Sequence, residues 1–270
     1  MLDLRMLGRI IIIFLILSSC SKQKNFEQIK VYGHAGMGME ILNSVYHANS
    51  KEAIEMALSI EGCEGVEMDM QLSKDNELWL FHDSNLAEET NGENCVNELT
   101  SSELSQFHYP TFHKEKLAKF NDLDLTKLKG KNIYLDIRHY NECGNHYVAK
   151  QAFINAILAS PVYQDPAIHV HIILSTEYWI NDFINSGFSV YQEVYDEEKS
   201  ISIFNSFPNL DGIVVKNATI SKEKVREVRN LDKKVIIFEM RSPKGIRTAL
   251  KKYPDAVITD DIRATLIEKY

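Results

Sequence analysis

Nine short apolar runs punctuate the chain after residue 28, and stretches with helical spacing fill most of the gaps between them. Ile29–His34, Gly65–Leu72, Glu77–His82, Asn132–Arg138, His169–Leu174, Ser189–Val194, Gly212–Lys216, Lys234–Met240 and Ala256–Thr259 are short and apolar and read as strands. Lys51–Ile60, Tyr147–Ala159, Glu177–Asn185, Glu197–Phe207, Lys222–Asn230 and Lys244–Lys252 carry apolar residues at helical intervals. Strands that alternate with helices imply right-handed crossovers and a parallel sheet. No period of some tens of residues repeats, which argues against a solenoid. The expected fold class is therefore α/β, and nine runs are one more than a closed (β/α)8 barrel needs.

The surplus run has a local explanation. Only Lys74, Asp75 and Asn76 separate the second run from the third. Three residues cannot hold a crossover helix but suit a β-hairpin. A turn centred on Asp75 pairs residues whose numbers sum to about 150, which sets Asp69 opposite Phe81 and Glu67 opposite Asp83. The Glu67/Asp69 pair and His82 then meet at the open end of the hairpin. Asp83 to Lys131 is long for one connection. It is expected to form a small cap in which Phe107, Tyr109 and Phe112 offer apolar contact to a ligand.

The first residues have another character. Ile10 to Leu17 is an unbroken apolar run of eight after a start carrying Arg5 and Arg9. A bilayer-spanning helix takes about twenty apolar residues, so the run reads as the core of an export signal. Leu17-Ser18-Ser19-Cys20 resembles the lipobox of bacterial lipoproteins. It implies cleavage after residue 19, lipid on Cys20, a polar tether over 20–28 and a domain over 29–270. The expected location is the bacterial cell envelope, on a membrane through a lipid and without a transmembrane helix. Loss of residues 1–19 removes two arginines and one aspartate, taking the formal charge from −8 to −9. That acidity argues against a nucleic-acid partner, which would call for a basic face. Cys63, Cys95 and Cys143 remain, without CxxC spacing, so zinc binding is not expected. An exported compartment permits Cys95 and Cys143 to pair across two turn-rich segments, with free thiols as the default expectation.

Candidate chemistry collects at strand ends. Glu67 and Asp69 lie two apart on a strand, so both carboxylates project from one face. Facing inward they call for a proton or a cation, and oxygen donors favour a hard ion such as Mg2+ or Ca2+. His34 ends the first strand in Gly33-His34-Ala35-Gly36, and His82 precedes Asp83. Asp136 and Arg138 repeat the two-residue spacing on the fourth run. Barrels gather ligand and catalytic groups at the carboxyl ends of their strands, where these residues converge. Lys216 and Glu239, at the ends of later strands, are further pocket candidates.

Gly33-His34-Ala35-Gly36, Asn49-Ser50, Gly65-Val66-Glu67-Met68-Asp69, Leu72-Ser73-Lys74-Asp75, Phe81-His82-Asp83, Thr90-Asn91-Gly92 and the terminal Thr259-Asp260 together resemble the glycerophosphodiester phosphodiesterase family. The resemblance implies a distorted TIM barrel with an early hairpin. It also implies hydrolysis of glycerophosphodiesters to glycerol 3-phosphate and an alcohol, with one divalent cation, Ca2+ or Mg2+. It assigns Glu67, Asp69 and Asp136 as metal ligands, His34 and His82 as catalytic histidines, and Arg138 as the phosphate-binding cation. His34 is expected to act as base and His82 as acid, with the reverse assignment open. Asp136 and Arg138 stand where Glu and Lys are usual. Ala35 stands where the family has an arginine, and Ala48 where it has a glutamate; Glu40 is near enough in sequence to fold back for the latter. Two other functions fit the same residues: cleavage of an intact phospholipid or phosphoinositide, or ligand binding without catalysis. Trp79 is expected in the core. His108, His113, His139, His146, His169 and His171 are expected on the surface or in loops.

Overall fold

Eight strands of the chain are buried on most of their residues, the pattern of strands covered on both faces. In the computed structural model, which describes residues 26–39, 44–140, 143 and 149–270, they close into a parallel ring. The ring comprises β1 (Lys30–Gly33), β2 (Gly65–Leu72), β5 (Asn132–Ile137), β6 (His169–Leu174), β7 (Ser189–Val194), β8 (Gly212–Lys216), β9 (Lys234–Phe238) and β10 (Ala256–Thr259). β1 pairs with both β2 and β10, which completes the closure. The expected export signal, Cys20, most of the tether, Glu40 and His146 lie outside the described residues, as does the start of the helix expected from Tyr147. No helix among the described residues is long and apolar enough to cross a membrane.

The surplus strand is β3 (Leu78–Leu80), antiparallel to β2. Met70 faces Leu80, Gln71 faces Trp79 and Leu72 faces Leu78, the register expected for a turn at Asp75. A tenth strand, β4 (Ala118–Lys119), adds to β3 outside the ring. Two residues are too few to show a period, and no strand was expected there.

Among the described residues, seven helices of six residues or more cover the ring: α1 (Lys51–Leu58), α2 (Lys150–Ala159), α3 (Ile180–Asn185), α4 (Lys199–Ser206), α5 (Lys222–Asn230), α6 (Pro243–Leu250) and α7 (Ile262–Lys269). Ser50 starts α1 by accepting from the Ala53 amide, Ser221 does the same for α5 with Lys224, and Asp261 for α7 with Ala264. α7 was not expected from the sequence. Between β2 and β5 the crossover helix is replaced by the hairpin and residues 81–131.

Side chains divide by the two-residue period of the strands. One set packs outward against the helices, with Met68, Leu135, Ile172, Ile213 and Val257 in the main core. The alternate set fills the ring with Tyr32, Tyr134, Ile173, Tyr191, Val214, Ile236 and Ile258. Trp79, Phe81, Leu86, Val96, Leu104, Tyr109 and Leu117 form a separate cluster, so the segment after His82 carries its own small core. Trp79 is buried as expected, and its indole N–H donates to Ser101 Oγ at 3.1 Å.

Two expectations are overturned. Free thiols were the default for Cys95 and Cys143, but the two are bonded, with Cα atoms 5.9 Å apart. Cys63 is free and buried. His171 is not a loop residue but a half-buried strand residue. It lies on β6 against Tyr134, with ring centroids 4.6 Å apart, and hydrogen bonds to Ser189 and Asn132. Burial lowers its imidazole to about 4.

At the opposite end of the barrel from the strand carboxyl termini, Phe26 packs on Tyr253 with ring centroids 5.4 Å apart. The chain therefore enters the fold at the floor of the barrel.

Candidate active site

The ends of β1, β2 and β5 bring the expected residues to one mouth. β2 and β5 pair in parallel with Asp69 beside Asp136, so three carboxylates converge from two adjacent strands. Ligand oxygens of Glu67, Asp69 and Asp136 lie within 4.8 Å of one another. Glu67 is 4% and Asp69 1% exposed. Three oxygen donors this close, two of them buried, fit a hard divalent cation, which would offset their mutual repulsion.

Each carboxylate has a distinct partner. Glu67 accepts from the Ala35 amide at 3.1 Å and lies 3.8 Å from His34 Nε2. Ala35 reaches it in a left-handed conformation, φ 46°. Burial, reinforced by the charge of Asp69, pushes Glu67 up to about 8. Asp69 is gripped by Asn49, which donates through Nδ2 at 2.7 Å and accepts from the Asp69 amide at 3.0 Å. Burial acts to raise Asp69, but Arg138 and His82 overcome it and hold it at about 2. Burial raises Asp136, against the pull of Arg138.

Arg138 was expected to face a phosphate. Its Nε donates to Asp69 at 2.9 Å and its Nη2 lies 3.2 Å from Asp136, so the guanidinium spans two carboxylates while still lining the cavity. The histidines stand on either side. His34 Nδ1 donates to Asp260 at 2.7 Å, and His82 Nδ1 to Asp83 at 2.6 Å. Burial acts to lower His34. The hydrogen bond to Asp260 and the charge of Glu67 outweigh it and raise the imidazole to about 9.

A cavity of about 330 Å3 joins His34, Glu67, His82, Asp136 and Arg138 to the ends of β6–β9. Lys216 and Glu239 line it as expected, 3.3 Å apart. Glu193, Tyr195, Phe238 and Arg241, not anticipated from the sequence, share the same wall. Tyr195 donates to Glu193 at 2.8 Å, and burial with the charge of Asp136 raises Glu193 to about 7. Their two-residue spacing at the end of β7 repeats that of Glu67/Asp69 and was the available signal. Asp260 was noted only as part of a terminal motif; no local pattern marks it as the partner of His34, 226 positions away. Among the aromatics expected in the cap, Tyr109 is buried, Phe107 packs on the cap core and Phe112 is 95% exposed.

Residues 34–265 match the glycerophosphoryl diester phosphodiesterase family, and the chain belongs to it. Curated relatives resemble a shorter stretch. A glycerophosphodiester phosphodiesterase of Bacillus altitudinis is 35% identical over 77 residues, 28% of this chain and 29% of that protein. One from Caldanaerobacter subterraneus is 34% identical over 70 residues, 26% of this chain and 28% of its own length. The matched stretch thus spans less than a third of either relative. Among solved structures, a phosphodiesterase of Oleispira antarctica, in complex with the product sn-glycerol-3-phosphate, superposes with TM-score 0.72 at 15% identity, covering 88% of this chain and 96% of that one. A glycerophosphodiester phosphodiesterase of Thermotoga maritima superposes with TM-score 0.65 at 21% identity, covering 89% and 97%. These likenesses establish the fold as a TIM barrel.

Proposed function

We propose that this chain is a divalent-cation-dependent phosphodiesterase that hydrolyses glycerophosphodiesters to glycerol 3-phosphate and an alcohol. The observation that carries the reading is the convergence of Glu67, Asp69 and Asp136 with His34 and His82 at one mouth of the barrel. Glu67, Asp69 and Asp136 would hold Ca2+ or Mg2+. Such an ion supplies positive charge for the nonbridging phosphate oxygens and favours the neutral form of the adjacent His34.

The rest falls to the chain itself. Arg138 presents a planar fork to the phosphate from beside the carboxylates. His34, fixed by Asp260, removes the proton from the attacking hydroxyl; His82, fixed by Asp83, donates one to the departing alkoxide. Ala35 offers no side chain to the phosphate, and Arg138, Lys216 and Arg241 supply the cavity with cations in its place. The test is release of glycerol 3-phosphate from glycerophosphocholine by purified protein. EDTA should abolish it, and His34→Ala or His82→Ala should each cost about 10²–10⁴-fold in kcat. Full activity in EDTA or in either variant would remove the proposal.

The proposed setting is outside the cytoplasm, with residues 1–19 as the export signal, lipid on Cys20, a tether to residue 28 and residues 29–270 as the catalytic unit. The Cys95–Cys143 bond supports export, because such bonds persist in oxidising compartments. Metabolic labelling with a radioactive fatty acid, lost in Cys20→Ala, tests the anchor.

A further inference from the structure

In a chain with 38 acidic residues against 30 lysines and arginines, one groove on the outside of the barrel reverses the balance. It has a volume of about 440 Å3 and runs between α5 and α6. Lys222, Arg226, Arg229 and Lys252 line it, and among the described residues Glu223 is its sole carboxylate. Arg229 and Asn230 close α5, and Lys252 and Tyr253 follow α6, so the groove lies at the floor end of both helices. It shares no lining residue with the cavity at the mouth.

Two of the cations are held in place. Arg229 Nη1 donates to the Tyr253 carbonyl at 3.0 Å, and its Nε lies 3.5 Å from Asp255. The half-buried Lys252 donates to the Asn217 carbonyl and, at 2.9 Å, to Asn217 Oδ1. Both acceptors are uncharged, and burial lowers the Lys252 ammonium. A partly desolvated ammonium without a counter-ion is costly, and a bound anion relieves that cost. The other two cations lie one turn apart on α5. Lys222 stands 4.6 Å from the centroid of the Tyr253 ring, and Arg226 is exposed. Among the described residues no carboxylate pairs with Lys222, Arg226 or Lys252.

We propose that this groove docks the phosphate of an anionic membrane lipid, so that charge as well as the lipid on Cys20 holds the barrel to its bilayer. The inference rests on the lipid-anchored setting and not on the phosphodiesterase chemistry.

The occupant follows from where the groove lies and from its charge. Tyr253, part of its wall, packs on Phe26, where the chain enters the fold after the tether. The groove therefore borders the side of the molecule that the anchor holds to the bilayer. The tether between Cys20 and Phe26 carries Lys22 and Lys24 and no carboxylate. Like charge keeps that segment out of the groove and adds to the attraction for an anionic surface. Guanidinium groups suit phosphate oxygens, and a cluster of basic residues beside a lipid anchor suits anionic headgroups.

The experiment uses the full chain carrying Cys20→Ala, which removes the acylation site. Its partition is measured onto vesicles of phosphatidylcholine alone and onto vesicles that also contain phosphatidylglycerol. The anionic lipid should raise binding about tenfold or more at low salt, and added salt should erase the gain. Lys222→Gln with Arg226→Gln should remove most of that preference. Lys114→Gln with Lys116→Gln, at exposed positions in the cap, makes the same change in net charge and should leave it intact. Equal binding to both vesicles, or equal loss in the two double variants, overturns the proposal. Release of the protein by inorganic phosphate, at an ionic strength where chloride does not release it, would assign the groove to free phosphate and overturn the lipid. Turnover of glycerophosphocholine should be equal in both double variants. An inactive chain that still prefers the anionic vesicles removes the phosphodiesterase reading alone. Wild type without a fatty-acid label removes the anchor, and the vesicle preference then still decides the groove.

Discussion

At the scale of single residues, the site is a charge balance with two settings. Glu67 is raised to about 8 and His34 to about 9, so the metal-free fold holds protons that the unfolded chain gives up earlier. Stability therefore falls as pH rises wherever the native state binds more protons. For His34 the gain is full below its unfolded value near ~6.5 and is lost through about 9; for Glu67 the decline begins near ~4.5 and ends near about 8. Urea titrations of EDTA-treated protein should show falling stability from pH 6 to 9, with a shallower slope in Glu67→Gln; a flat profile would contradict the balance. A cation needs the deprotonated carboxylate, so its affinity should climb over the same range, as calorimetry can read. Arg138 joins the balance because its removal leaves buried Asp69 and Asp136 uncompensated. Arg138→Met should destabilise the metal-free protein by about 3–5 kcal/mol, and added Ca2+ or Mg2+ should restore part of that loss. Loss of equal size with and without metal would argue against a shared role. The ExD pair, both histidines and Arg138 could be read from the chain because strand spacing and strand ends mark them. Asp260 could not, because its partner His34 is reached only by folding.

At the scale of elements, the hairpin is the part that departs from a regular barrel and also the part best anticipated. Its register follows from a three-residue turn, a constraint local enough to read without the rest of the molecule. What the turn does next was not legible. Asp75 accepts from the Ser101 amide at 3.0 Å and from Ser73 Oγ at 2.6 Å, which ties the hairpin tip to the cap. Asp75→Ala should cost about 1–2 kcal/mol by denaturant unfolding, the scale of a lost capping carboxylate, whereas Asp75→Asn should recover much of it. Equal losses in the two variants would point away from these hydrogen bonds. Gly65, at the start of β2, sits where a Cβ would come 1.9 Å from the Asn132 carbonyl, so the β2–β5 pairing that sets the metal carboxylates depends on the missing side chain. The short β4 and the helix α7 escaped notice for different reasons. Two residues show no period, and α7 distributes its apolar residues around its axis rather than along one face.

At the scale of the whole molecule, barrel and cap have separate cores, and the Cys95–Cys143 bond ties the cap to a residue beyond β5, 48 positions along the chain. Closing a loop of that length stabilises the fold by about 4 kcal/mol in the chain-entropy account. Cys143→Ser, or reduction, should lower the melting temperature by several degrees, and an unchanged melting curve would show that the cap holds without the bond. The path of the chain has a consequence for direction. Phe26 rests on Tyr253 beneath the ring, while His34 and the carboxylates open at the other end. On the proposal that Cys20 carries a lipid, only five residues separate that anchor from Phe26, a leash of roughly 20 Å. The eight residues of β2 alone run about 26 Å from floor towards mouth. On that proposal, a leash shorter than the barrel is tall would leave the opening turned away from the lipid layer, facing whatever diffuses past.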